Sequence, residues 1–303
     1  MRMAELVPLV DTASARTFLA SVVPEWEWLL AQIEAEGGYV RFPRQLAAII
    51  KNLRIESYPR LYENEAAIGV LVGRALLGPE SFEEFDREVT AASPEERGQV
   101  VVDFLAQLHA LDAPFTLPKT PAEERAAQAA FEALAPDEQK SQARLWQHLL
   151  MGFLATFYQH LSLAVHGEKL SALVAQAKAG DTSAFAKAVK IDKRVLTEIP
   201  FFKERYERAG LEAESRLLDE VGRRLSAPPY RGRIRHKSLW LTFAALEGFR
   251  LLDTFKHEDL LDFCDSIGIG RHKSRIDDVK NLSKRLAEYR RFQGRGLVVE
   301  STP

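Results

Sequence analysis

The chain has 303 residues, 46% of them hydrophobic and 28% charged, with a formal net charge of −2. This composition excludes wholesale disorder, and the length suffices for two or three domains with sizeable cores. A single cysteine, Cys264, excludes an intrachain disulfide framework and any zinc site built on three or four cysteines, and it fits a reducing, cytoplasmic setting.

In chain order nearly every segment reads as helix. The apolar stretch after Glu5 is broken at once by Pro8 and Asp11, so no signal peptide is expected. Helices are predicted at about 12–21, 24–36, 43–53, 59–77 and 80–91, the second and third separated by Gly37-Gly38. Trp26 and Trp28 lie two apart and cannot share one narrow helical stripe, so one of them is expected toward the surface, where a partner can meet it. Tyr39-Val40-Arg41-Phe42 is the best strand-like run and is too short to argue for a sheet.

Ser93-Pro94-Glu95-Glu96 is a capping box with proline in the first turn, and it opens a helix through Leu108. Thr120-Pro121-Ala122-Glu123 repeats the signature for an Ala-rich helix ending near Ala135. Pro136 then begins a long helix to about Val165, stopped by Gly167. Its hydrophobic half, Leu149 to Val165, contains Gln159 and His160 and falls short of the about 20 apolar residues a membrane span needs. It predicts a buried central helix, and no membrane partner is expected.

Shorter helices follow. One runs from Glu168 to Ala179 and stops at Gly180; Asp181 and Asp192 are read as caps of the next two. Pro200 starts another, closed by Gly210, and Leu211 to Ser226 forms an amphipathic one. Pro228-Pro229 ends the pattern. Beyond the loop, Ser238 is read as the cap of Leu239–Leu252 and Thr254 as the cap of a helix through Ile267, closed by Gly268. Ser274-Arg275-Ile276-Asp277 is a capping box for a last helix to about Phe292, with Val279, Leu282, Leu286 and Tyr289 on one apolar stripe. The expected architecture is therefore all-α: an acidic multi-helix body (1–226), a basic Pro/Arg-rich linker (227–237) and a basic trihelical C-terminal module with a short tail (238–303).

The near-zero net charge hides a split. Residues 223–295 carry 17 Lys+Arg against 9 Asp+Glu, net +8, and residues 1–222 carry 24 against 33, net −9. Such asymmetry points to an anionic partner for the basic part, or to docking of the basic part on an acidic protein, a second copy or its own body. Two clusters stand out. Arg231, Arg233, Arg235 and Lys237 follow Tyr230 in the linker, which suits clamping of a phosphate backbone and stacking of a base. Arg271, Lys273 and Arg275 precede the last helix, whose face away from the apolar stripe carries Lys280, Lys284 and Arg291, flanked by Arg285 and Arg290. A basic loop feeding a basic third helix is the electrostatic footprint of nucleic-acid binding. The loop is longer than the tight turn of a helix-turn-helix, and Asp277 and Asp278 put negative charge where a recognition helix would meet DNA.

Other chemistries find little support. No two of His148, His160 and His166 stand three or four apart, so no helical metal pair is expected and no cofactor is assigned. These histidines, like His109, read as satisfied core or boundary groups. Cys264, among Leu260, Leu261, Phe263 and Ile267, reads as a small buried hydrophobe. Nucleophile-elbow, phosphate-loop and dinucleotide fingerprints are all missing. Arg231 with His236 and Arg250 with His257 formally resemble the Arg-to-His spacing of the helical HEPN ribonucleases. Gly232 and Leu251 stand where that family carries a polar residue, so no catalytic residue is carried over. The expectation is a non-enzymatic nucleic-acid-binding or regulatory protein. A helical interaction scaffold and an enzyme acting on nucleic acid at the domain junction remain as alternatives.

Overall fold

The computed structural model describes residues 12–35, 55–64, 87–88, 91, 93, 118–226, 236–269 and 278–298. Among the described residues there are helices and no strand: α1 (Thr12–Ala35), a 3₁₀ helix (Ile55–Glu63), α2 (Pro121–Glu132), α3 (Pro136–His166), α4 (Leu170–Lys178), α5 (Thr182–Ile191), α6 (Val195–Glu198), α7 (Pro200–Leu211), α8 (Ser215–Leu225), α9 (Lys237–Gly248), α10 (His257–Ser266) and α11 (Val279–Val298). The expected helices at 43–53 and 93–108, most of those at 59–77 and 80–91, the strand-like run at 39–42 and the linker from 227 to 235 lie outside the described residues.

Helix α3 is the axis of the bundle. From Leu150 onward residues on every side of it are buried, because α9, α11, α4, α5 and the 3₁₀ helix pack around it. Its ends follow from sequence. Glu138 accepts the Ala135 N–H at 3.0 Å, and Gly167 takes the left-handed conformation (φ 71°) that closes the last turn. Helix α2 starts where Thr120 Oγ1 accepts the Glu123 N–H at 3.2 Å and Glu123 Oε2 accepts the Thr120 N–H at 3.0 Å. Asp181 caps α5 by accepting the N–H groups of Ser183 and Ala184 at 2.8 and 3.1 Å.

Some boundaries differ from expectation, each for a tertiary reason. Helix α1 continues through Pro24 as one element instead of two. The proline ring is exposed, while Ala15, Leu19, Val23, Trp26, Leu30 and Ile33 form an unbroken buried stripe on both sides of it. Packing thus holds the two halves in line despite the missing N–H. Trp26 is wholly buried and Trp28 half-buried. Two expected caps serve other partners, and a third keeps its cap hydrogen bond while gaining a distant one. Ser238 donates to the Glu27 carboxylate of α1, and Thr254 Oγ1 donates to the Leu251 carbonyl at 2.8 Å. Asp192 accepts from Tyr62 Oη at 2.9 Å and from the Arg194 N–H at 3.0 Å. Helices α9, α10 and α6 consequently start at Lys237, His257 and Val195.

Asp192 anchors the 3₁₀ helix, which replaces the start of the α-helix expected at 59. Tyr58 stacks on Tyr158 of α3 with ring centroids 5.8 Å apart and planes 5° apart. The Arg194 guanidinium sits 5.8 Å above the Tyr58 ring, and Arg60 Nε donates to the Glu198 carbonyl at 3.2 Å. A single core joins the ends of the chain. Leu239, Phe243 and Leu246 of α9 pack between α1 and α3, and Leu282, Leu286 and Tyr289 of α11 close the same cluster against α3 and α10. Burying each such side chain contributes about 1.5–3 kcal/mol, far more than the intrinsic propensity of a helix this basic.

Candidate nucleic-acid interface

Helix α11 presents two opposed faces. Leu282, Leu286 and Tyr289 are buried, at 0%, 5% and 0% exposure. Lys280, Lys284 and Arg291 are exposed. Each of these cations is two positions from a buried residue, which on an α-helix is about 200° around the axis. The sequence stripe therefore fixes the crest of the opposite face. Eleven positions separate Lys280 from Arg291, about 16 Å along the helix. Among the described residues neither lysine has an ion pair, and Arg291 donates to the Ala287 carbonyl of its own helix at 3.2 Å.

The two flanks of this crest are different. On one, Arg285 binds Glu288 at 2.7 Å and is only 18% exposed. Glu288 is held below the usual carboxylate range, first by the hydrogen bond from Arg285 and then by the charges of Arg285, Lys284 and His236. Trp240 of α9 meets Tyr289 edge-on with centroids 5.8 Å apart. Lys237, the last residue of the linker cluster, is half-buried at the start of α9. On the other flank Arg290 is paired with Asp253, which leads into α10.

Of the expected binding residues, Lys280, Lys284 and Arg291 share the exposed crest, Arg285 lies on its flank in an ion pair, and Lys237 is half-buried at the start of α9. Arg231, Arg233, Arg235, Arg271, Lys273 and Arg275 lie outside the described residues. Sequence reading missed the outer face of α10, where Glu258, Asp259 and Asp262 are all exposed. Their spacing of one and three is the available signal, since it puts them on one side of a helix.

The other candidates carry structural roles. Cys264 is fully buried, and burial, then the charge of Asp265, pushes its thiol up to about 12, far from a reactive thiolate. His160 lies against the Trp26 ring at 5.0 Å with Nδ1 2.8 Å from the Thr156 carbonyl, which makes it a satisfied core group. His166 is buried but departs from that expectation, because neither ring nitrogen finds a partner among the described residues. Arg250 and His257 are both exposed, the first in a left-handed turn after α9 and the second at the start of α10. Among the described residues no group of acidic, histidine or cysteine side chains is arranged to hold a metal, and no helix is long and apolar enough to cross a membrane.

A cleft of about 500 Å³ opens where the end of α3 meets α4 and the 3₁₀ helix, with Tyr62, Leu163, Ser171 and Val174 among its walls. Two of its rim charges are engaged locally: Lys178 pairs with Glu63 at 2.5 Å, and Glu168 accepts from the Gln176 amide at 2.6 Å. Burial first, then the charge of Asp192, raises the Tyr62 phenol, whose hydroxyl is turned to Asp192. The cleft thus shows packing and self-paired charge, without a nucleophile and base in contact.

Fold and surface together define an all-α bundle with a one-sided basic last helix. No family model matches the chain, and neither a curated protein nor a solved structure was found to be significantly similar to it.

Proposed function

We propose that this protein binds nucleic acid through the phosphate backbone, using the exposed crest of α11 as its primary contact and acting in the cytoplasm as a non-enzymatic regulatory factor. The observation that carries the reading is the pair Lys280 and Lys284. They stand one helical turn apart, exposed and unpaired among the described residues, directly opposite the side chains that fix the helix to the core. A fold that orients cations outward without partnering them leaves their charge available to phosphates, which gain by releasing condensed counterions. Arg291 extends the row. In sequence, the charged segment 231–237 leads into the three-helix unit and 271–275 joins its second helix to its third.

Fluorescence anisotropy of a labelled oligonucleotide, titrated with protein at a series of salt concentrations, tests the reading. Binding is expected to weaken linearly in logarithm with the logarithm of salt. Lys280→Glu with Lys284→Glu should lower the affinity at least about tenfold and the slope by about 1.4–1.8, the contribution of two phosphate contacts. Both side chains are exposed, so the circular dichroism of the variant should match the parent. Absence of binding at about 50 mM salt, where screening is weak, overturns the proposal.

A further inference from the structure

The nucleic-acid reading leaves open which form of nucleic acid fits, and the surroundings of α11 bear on that. The crest of α11 is one helix wide. On the α10 side the cationic row ends abruptly: Arg290 is already bound to Asp253, and the outer face of α10 carries Glu258, Asp259 and Asp262, all exposed. Among the described residues none of the three has an ion-pair partner. On the other side Arg285 is itself paired with Glu288, and His236 and Lys237 at the start of α9 are half-buried. The cationic track is therefore narrow: both flanking arginines are paired to carboxylates, and three further carboxylates line its α10 edge.

We propose that the partner of this face is single-stranded nucleic acid, and that the carboxylates on α10 discriminate against duplexes. A duplex is too broad for the crest. Its two phosphate rows stand about 12 Å apart across the major groove, whereas helices packed side by side have axes only about 8–10 Å apart. A duplex centred on α11 thus carries phosphates over α10, within the screening length of about 10 Å at 0.1 M salt. Three unpaired carboxylates there repel it. A single strand presents one row of phosphates. It can follow Lys280, Lys284 and Arg291 without passing over α10.

The test compares one labelled strand of about 20 nucleotides, longer than a single binding site, with the same strand annealed to its complement. Both are titrated at about 100 mM salt with the full-length protein and with the triple variant Glu258→Gln, Asp259→Asn, Asp262→Asn. These side chains are exposed and the replacements nearly isosteric, so the fold is retained. The parent is expected to bind the single strand about tenfold more tightly than the duplex. The triple variant should gain several-fold for the duplex and change little for the single strand, so that the ratio shrinks. Equal or tighter duplex binding by the parent overturns the inference and leaves the nucleic-acid reading standing. So does a ratio that the triple variant leaves unchanged. Failure of the parent to bind either probe even at about 50 mM salt removes the functional reading and this inference with it.

Discussion

The phenol of Tyr289 donates a 2.6 Å hydrogen bond to the carboxylate of Glu247, joining the last helix to α9. Gln293, one turn further along α11, adds its amide to the same carboxylate at 3.1 Å and to the carbonyl of Leu163 in α3, also at 3.1 Å. Through these two residues the helix that carries the basic crest is tied to α9 and α3.

Removing the phenol should loosen that tie. Tyr289→Phe keeps the ring between Trp240 and Phe243, to which it stands edge-on at 5.8 and 5.5 Å. It takes away the charged hydrogen bond, for a loss of about 1.5–3 kcal/mol in urea denaturation. Gln293→Leu should act on the same network. The double variant is therefore expected to lose less than the two single losses added together. Strict additivity would mean that the three groups do not act as a unit.

His166 makes stability depend on pH. Burial, followed by the charges of Lys190, Lys187 and Arg224, lowers its imidazole to about 3, against about 6.5 in an unfolded chain. Between those values the unfolded chain takes up a proton that the folded chain refuses. Above pH 6.5 both states are neutral there and nothing is lost. As pH falls below 6.5 this group alone removes about 1.4 kcal/mol per unit, or about 2 kcal/mol by pH 5. His166→Phe has no such titration, so its stability relative to the parent should rise between pH 7 and pH 5. A difference that stays flat across that range would show that the imidazole titrates normally in the fold.

Two left-handed positions should respond in opposite directions. Gly167 (φ 71°) closes α3, and Arg250 (φ 60°) fills the equivalent place after α9, where the Leu251 N–H bonds to the Leu246 carbonyl at 2.8 Å. Gly167→Ala is expected to destabilise by about 1–2 kcal/mol, because a Cβ crowds the backbone there. Arg250→Gly should stabilise by about 0.5–1 kcal/mol, since the same strain is relieved and only part of the gain is returned to the more flexible unfolded chain. Thermal unfolding of the pair reads both signs at once.

Cys264 should be inert in the folded protein. A thiol pushed up to about 12 and fully buried is almost never a thiolate at neutral pH. A chromogenic thiol reagent is therefore expected to titrate one group in denaturant and essentially none, over minutes, in native buffer. Rapid labelling of the native protein would mean that α10 opens readily.

Local grammar was legible in the sequence wherever a signal acts on its own neighbours. Thr120 with Glu123, Asp181, and Gly167 each satisfy backbone groups within three or four residues, and each sits at the predicted place. Helical period alone also put Lys280, Lys284 and Arg291 opposite Leu282, Leu286 and Tyr289, because a buried stripe on a helix dictates what faces away from it.

Tertiary structure decided what each polar group finally does. Ser238 and Thr254 carry the chemistry of caps, yet Glu27 and the Leu251 carbonyl claim them, and Asp192 divides its carboxylate between the Arg194 N–H and Tyr62. Glu27 is 211 residues from Ser238 and Tyr62 is 130 from Asp192, far beyond any local pattern. The same holds for the candidate interface. Sequence spaced its cations along one helix, but only packing showed that Arg285 and Arg290 are occupied by Glu288 and Asp253, and that α10 brings carboxylates beside one flank. Periodicity determines which face of a helix looks outward, since that depends on residues a turn apart. What stands beside that face depends on how distant helices bury their apolar stripes together, and no single segment contains that information.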